Sequence, residues 1–217
     1  MLFPYRTVEE IIYAVLSLAI AFAVHEFAHA FMAWKFGDDT AKNQGRLTLN
    51  PIRHLDPIGT ILILVIGFGW ARPVPVNRFF FKNPRLGGIL VSAAGPISNF
   101  VLAFLGYLAL FTLIISTGES AFTITLEEFL QVFIGLNLVL FLFNLLPFPP
   151  LDGYRILEDL APGGLRAKMT QYEQYGSLIF LILVLTPLDN YTITPLFMVA
   201  LPALDQSIQE FLLPFFT

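Results

Sequence analysis

The sequence predicts an all-α polytopic membrane protein with about five to six transmembrane helices and a short re-entrant, β-like segment at about 58–78. Three observations carry this. Charged residues make up only 13% of the 217-residue chain, where a soluble domain carries roughly 25%. Hydrophobic residues make up 56%, and mean hydropathy is +0.73. The apolar residues fall in long runs, several of which reach the roughly 20 residues needed to cross a bilayer. Little polar chain is left to build a separate soluble unit, so 1–217 reads as a single integral membrane domain.

The first run, 8–34 (VEEIIYAVLSLAIAFAVHEFAHAFMAW), is too long for a removable signal peptide and leads straight into a polar cluster. Runs 86–116 and 126–148 also pass the length test. The fourth, 175–188 (YGSLIFLILVLTPL), is short and ends at Pro187. The fifth, 193–215, contains Pro195, Pro202, Asp205 and Glu210, which predict a broken or partly interfacial helix. Between the first two spans lies 58–70 (IGTILILVIGFGW). At about 13 residues it is short for a span and suits a segment that dips in and returns. The Pro- and Gly-rich stretches 71–88 and 147–164 read as loops at the membrane edge.

Charge placement sets the orientation. The basic residues cluster as Lys35, Lys42, Arg46 and Arg53, then Arg72, Arg78, Lys82 and Arg85, then Arg155, Arg166 and Lys168. If 58–70 is re-entrant, all three groups share one face, which the positive-inside rule makes cytoplasmic. Connections 117–125 and 189–192 carry acids and no Lys or Arg, as outside loops should. The N-terminus is then outside. The net charge of −4 adds little, since placement matters more than the sum. With no cysteine in the chain, disulfides, thiolate ligands and thiol nucleophiles are all excluded.

The chemistry starts with His25-Glu26-Phe27-Ala28-His29 inside the first span. Ionisable residues are expensive in hydrocarbon and usually mark function there. Positions i and i+4 share a helix face, so His25 and His29 can offer two imidazoles to one metal, with Glu26 beside them to take a proton from water. His29 precedes Lys35 by six residues, roughly 9 Å of helix, which puts the motif in the cytoplasmic third of the bilayer. A catalytic zinc site takes three protein ligands. The candidates for the third are His54 and Asp152, the latter in Asn144-Leu-Leu-Pro-Phe-Pro-Pro-Leu-Asp152-Gly153. A helix-packing cluster or proton relay is the bland alternative. A non-proteolytic metal-binding regulator is a second, though it would have no need of Glu26. A transporter is a third, though no internal repeat is visible.

HEFAH followed about 120 residues later by NLLPFPPLDG resembles the site-2 proteases, the intramembrane zinc metalloproteases. GRLTLNPIRHLDPIGT (45–60), GWARPVPVN (69–77) and AAGPISN (93–99) match as well, and the pattern resembles the compact branch of the family that lacks a PDZ domain. The resemblance covers about 10–160. It implies a catalytic core over about 8–160, followed by C-terminal helices at about 175–215 that carry no family chemistry. It implies one zinc ion per chain on His25, His29 and Asp152, with Glu26 as general base. Asn144 would steady the substrate or the oxyanion, and Gly69 to Val76 would hold substrate in extended form. Gly95 and Asn99 would pack close to the site. Trp70, read on its own, is an interfacial anchor. The implied activity is hydrolysis of peptide bonds in or near membrane spans. The implied partners are single-span or membrane-anchored proteins and the lipid bilayer, with no nucleic acid. The placement of Lys and Arg suits the plasma membrane, with the site near the cytoplasmic side.

Overall fold

The computed structural model describes residues 7–66, 69–118 and 120–216, leaving aside the side chains of 63–66. Among the described residues there are eight α-helices and no strand: α1 Val8–Lys35, α2 Thr40–Asn43, α3 Pro57–Ile66, α4 Pro84–Ser116, α5 Ala121–Asn144, α6 Asp152–Leu160, α7 Gly163–Leu185 and α8 Ile193–Leu212. The all-α expectation holds.

The helix ends follow from local chemistry. Thr7 caps α1 by accepting the Glu10 N–H, while the Glu10 carboxylate accepts the Thr7 N–H. This capping box satisfies two donors that the first turn would otherwise leave free. Asn83 caps α4 through the Leu86 N–H, and Pro84 follows at the first helical position, where a missing N–H costs nothing. Ser120 and Thr123 form the capping box of α5.

Among the described residues, four helices are long and apolar enough to cross a membrane: α1, α4, α5 and the last helix, reckoned to Phe215. The central three pack together. Ala14, Leu18 and Phe22 of α1 are buried against Leu136 of α5. Ala103, Tyr107 and Leu110 of α4 meet Ile134 and Leu138 of α5, and Ile208 and Leu212 of α8 close that cluster. Tyr107 donates to Asp205, which also accepts from Gln209, so the α4–α8 contact has a polar lock as well as an apolar one.

Several boundaries differ from those the sequence predicts. The helix placed at 126–148 runs Ala121–Asn144. Ser120 starts it early, and the prolines at 147, 149 and 150 stop it early. The short fourth run belongs to α7, which begins at Gly163 rather than near 175, because its first half (GGLRAKMTQYEQY) is helical but polar. Pro202 does not break α8, which continues through it; a proline removes one donor but leaves the other bonds of the helix in place. Residues 57–66 are helical, and 67–68, which complete the predicted dip, lie outside the described residues. The predicted β-like segment is reduced, among the described residues, to one antiparallel bridge between Leu55 and Ala71. Pro73 and Pro75 cannot donate to a ladder, which limits pairing along this stretch. Of the loops predicted outside, residue 119 lies outside the described residues, as do 1–6.

The segment after the bridge is nonetheless held. The Arg72 N–H donates to the His54 carbonyl at 2.8 Å. The buried Arg46 guanidinium donates to the Arg72 and Pro73 carbonyls. The Asn77 N–H donates to Asp38 at 2.6 Å. Arg78 then reaches α6, 3.0 Å from Asp159, and Arg166 of α7 approaches the same buried carboxylate at 2.9 Å.

One face of α4 carries three close approaches. A Cβ on Gly88 would collide with the Asp159 carboxylate, one on Gly95 with both His25 and His29, and one on Gly106 with Ile134. Asn99 lies on the same face. Positions 88, 95, 99 and 106 stay within about 20° of one line along a helix turning about 100° per residue.

Candidate metal centre

His25, Glu26 and His29 are buried on α1. The Nε2 atoms of His25 and His29 lie 3.0 Å apart, and each is 3.2 Å from Asp152 Oδ2. Asp152 opens α6, placed there by the chain that turns back after α5. Gly153 fits against the Leu145 and Leu146 carbonyls, where any side chain would clash, and this lets the first turn of α6 tuck under the end of α5.

The outer ring nitrogens fix the tautomers. His25 Nδ1 faces Asn99 Oδ1 at 2.6 Å, and His29 Nδ1 faces the Val91 carbonyl at 2.7 Å. A carbonyl only accepts, so in each neutral ring the proton sits on Nδ1 and Nε2 is bare. Two bare nitrogens and a carboxylate oxygen therefore converge. Asp152 Oδ2 is buried and has no hydrogen-bond donor. Three acceptors facing one point repel each other unless a cation lies among them. Tetrahedral zinc with bonds of about 2.0–2.1 Å needs ligand atoms roughly 3.3 Å apart. The arrangement fits zinc, and its three donors form a group that could hold a metal ion.

These residues open onto a cavity of about 740 Å³, lined also by Glu26, Asn144 and the segment from Gly69 to Arg78. Glu26 Oε2 accepts the Val74 N–H at 2.9 Å, which turns the carboxylate toward that segment. The Asn144 Nδ2 donates to the Leu140 carbonyl one turn back. Trp70 is half-exposed at the cavity mouth.

Of the two candidates for the third ligand, the structure brings Asp152 to the histidines and leaves His54 elsewhere. His54 is fully buried, its Nε2–H donating to the Thr48 carbonyl and its Nδ1 facing the Arg46 guanidinium at 3.4 Å. Both of its nitrogens are used.

Two residues carry more than sequence reasoning gave them. Asn99 reads there as close packing but bonds directly to His25. Asn137 was not singled out, yet it is completely buried and bonds Asn99. The signal was available, since Asn137 is a lone amide in an otherwise apolar run from Val132 to Phe143.

Fold and site together define a helical membrane protein with a buried two-histidine, one-carboxylate cluster and an acid beside it. The sequence profile of Peptidase family M50 matches residues 111–187. YwhC of Bacillus subtilis, provisionally named a zinc metalloprotease, is 63% identical over 85% of this chain and 85% of its own. Rip2 of Mycolicibacterium smegmatis, named in the same way, is 37% identical over 79% of this chain and 66% of its own. MJ0611 of Methanocaldococcus jannaschii, likewise so named, is 29% identical over 72% of this chain. No solved structure is significantly similar. The chain belongs to peptidase family M50, the site-2 proteases, and is a zinc metalloprotease.

Proposed function

We propose that this protein is an intramembrane endopeptidase that cleaves peptide bonds in or near the spans of single-span or membrane-anchored proteins. One observation carries the reading. His25, His29 and Asp152 converge beside Glu26 on a helix of 28 residues apolar enough to lie in a bilayer. In this reading His25, His29 and Asp152 hold one zinc ion. Zinc bound there polarises a peptide carbonyl and makes water acidic enough to lose a proton near neutral pH.

The remaining steps fall to the chain's own groups. Glu26 takes a proton from the attacking water and delivers it to the leaving amine. Asn144, on the cavity wall, turns its amide from the Leu140 carbonyl toward the developing oxyanion. A membrane helix hides its carbonyls in hydrogen bonds, so the substrate unwinds at the cut and lies extended beside the 69–77 segment, which lines the same cavity. Asn77, Arg72 and Pro73 are anchored by Asp38, His54 and Arg46, which keeps that segment in place while substrate enters.

The same reading makes 1–217 one membrane domain with five spans, α1, α4, α5, α7 and α8. α3 dips in and returns on the cytoplasmic side of the plasma membrane. The placement of Lys and Arg supports this orientation. It puts the N-terminus outside and lets water reach the site from the cytoplasm.

The test is cleavage of a tagged single-span substrate in proteoliposomes by zinc-loaded wild type and Glu26→Gln. Cleavage by wild type alone supports the reading, provided Glu26→Gln still binds one zinc per chain. Equal cleavage by both would falsify the role given to Glu26.

A further inference from the structure

We infer that Asn99 and Asn137 form a one-directional hydrogen-bond relay that sets which nitrogen of His25 is free, and so act as positioning residues for the metal centre. The inference rests on the reading of His25 as a zinc ligand.

The relay starts at a backbone carbonyl and has a single polarity throughout. Phe133 O can only accept, and Asn137 faces it with its side chain at 2.8 Å. The Asn137 end at Phe133 must therefore be the NH2 group, which turns Oδ1 toward α4. That oxygen lies 3.1 Å from the Asn99 side chain, so the Asn99 atom facing it must be Nδ2. The same Asn99 nitrogen faces the Ala21 carbonyl at 3.4 Å, a second acceptor that requires a donor there. Asn99 Oδ1 is left to face His25 Nδ1 at 2.6 Å. An oxygen at that point accepts, so His25 carries its proton on Nδ1 and presents a bare Nε2 to Asp152 and His29. Flipping Asn137 would set its oxygen against the Phe133 carbonyl and its NH2 against that of Asn99, and flipping Asn99 would set its oxygen against the Ala21 carbonyl and Asn137 Oδ1.

Both asparagines are 0% exposed. No water is needed at any junction to fix the order, and the relay crosses three helices, from α5 to α4 to α1. His29 is oriented differently, by the Val91 carbonyl of α4. One imidazole is thus held by a backbone group that no substitution removes, and the other by two replaceable side chains. Partners of this kind orient a ligating imidazole and raise its basicity, and losing one typically costs 10- to 100-fold in metal affinity.

The experiment measures zinc affinity of the full chain in detergent by competition with a chromophoric chelator. It also records the visible absorption of the cobalt-substituted protein. Asn99→Leu is expected to weaken zinc binding about 10- to 100-fold and to shift the cobalt spectrum. Asn99→Asp in its protonated form keeps both the acceptor facing His25 and an O–H donor facing Asn137 Oδ1, and should bind zinc nearly as well as wild type. Asn137→Leu should weaken binding, and Asn137→Asp, which still accepts from Asn99, should restore it. A merely structural role would not separate the aspartates from the leucines. Wild-type affinity and spectrum in Asn99→Leu would overturn the inference. His25→Ala is the control for the underlying reading: if it binds zinc as wild type does, His25 is not a ligand and both readings fall. If it loses zinc while Asn99→Leu does not, only the relay falls.

Discussion

Glu26 Oε2 and the main-chain N–H of Val74 are joined by a 2.9 Å hydrogen bond, so the carboxylate beside the candidate metal centre is aimed by the segment that lines its own cavity. A backbone donor to a carboxylate is worth about 1.5–3 kcal/mol. Val74→Pro removes the donor and leaves the rest of the segment, already carrying Pro73 and Pro75, free to keep its path. Cleavage should fall about ten- to a hundredfold with zinc content unchanged, while Val74→Ala, which keeps the N–H, should stay close to wild type. Proline and alanine variants of equal activity would show that the contact does not orient the acid.

Gly95 tests the closeness of α4 to the histidines. Alanine is the better helix former by about 1 kcal/mol, so Gly95→Ala should preserve or raise helicity. Its methyl group, however, would meet both imidazoles. The expected outcome is a folded protein by circular dichroism that has lost stoichiometric zinc. Full zinc occupancy in Gly95→Ala would mean that α4 can back away at no cost.

His54 predicts a pH dependence of stability. Burial pushes its pKa below the ordinary value; the Thr48 carbonyl opposes this, and the Arg46 guanidinium adds to it. The folded protein therefore keeps His54 neutral where the unfolded chain takes up a proton. Stability contributed here is intact above about pH 6.5 and falls as pH drops below it. Thermal unfolding in detergent at about pH 7.5 and about pH 5.5 should show a larger loss for wild type than for His54→Gln. Parallel losses in the two proteins would place the sensitivity elsewhere.

Metal removal should act on stability as well as activity. A ligand that binds only the folded state at about a thousand times its Kd adds about 4 kcal/mol. Chelation should abolish cleavage and lower the unfolding temperature, and added zinc should restore both. An unchanged unfolding temperature on chelation would argue against a tightly held ion.

Much of this was legible in the chain. The boundaries of α1 follow from Thr7, Glu10 and a long apolar run, and Asp152 was marked by the prolines that stop α5 and turn the chain back. What stayed hidden depends on through-space partners or on polar helices. Hydropathy cannot register the first half of α7, because a helix that is polar there leaves no apolar trace. Asn99 sits in a recognisable GPISN stretch, but its direction of bonding depends on Asn137, on another helix. Val74 looks like an ordinary apolar residue, and only its main chain matters to Glu26. The β-like character expected at about 58–78 is reduced, among the described residues, to the Leu55–Ala71 bridge, with side-chain anchors holding 72–77, because prolines leave too few donors to sustain a ladder.

The aligned face of α4 works as a ruler. Its marks at 88, 95, 99 and 106 index the Asp159 ion network, the two histidines, the asparagine relay and the α5 packing seam on one helix. A slip of one residue would turn the helix by about 100° and lose all four alignments together. Small sliding movements of α4 are thereby penalised jointly.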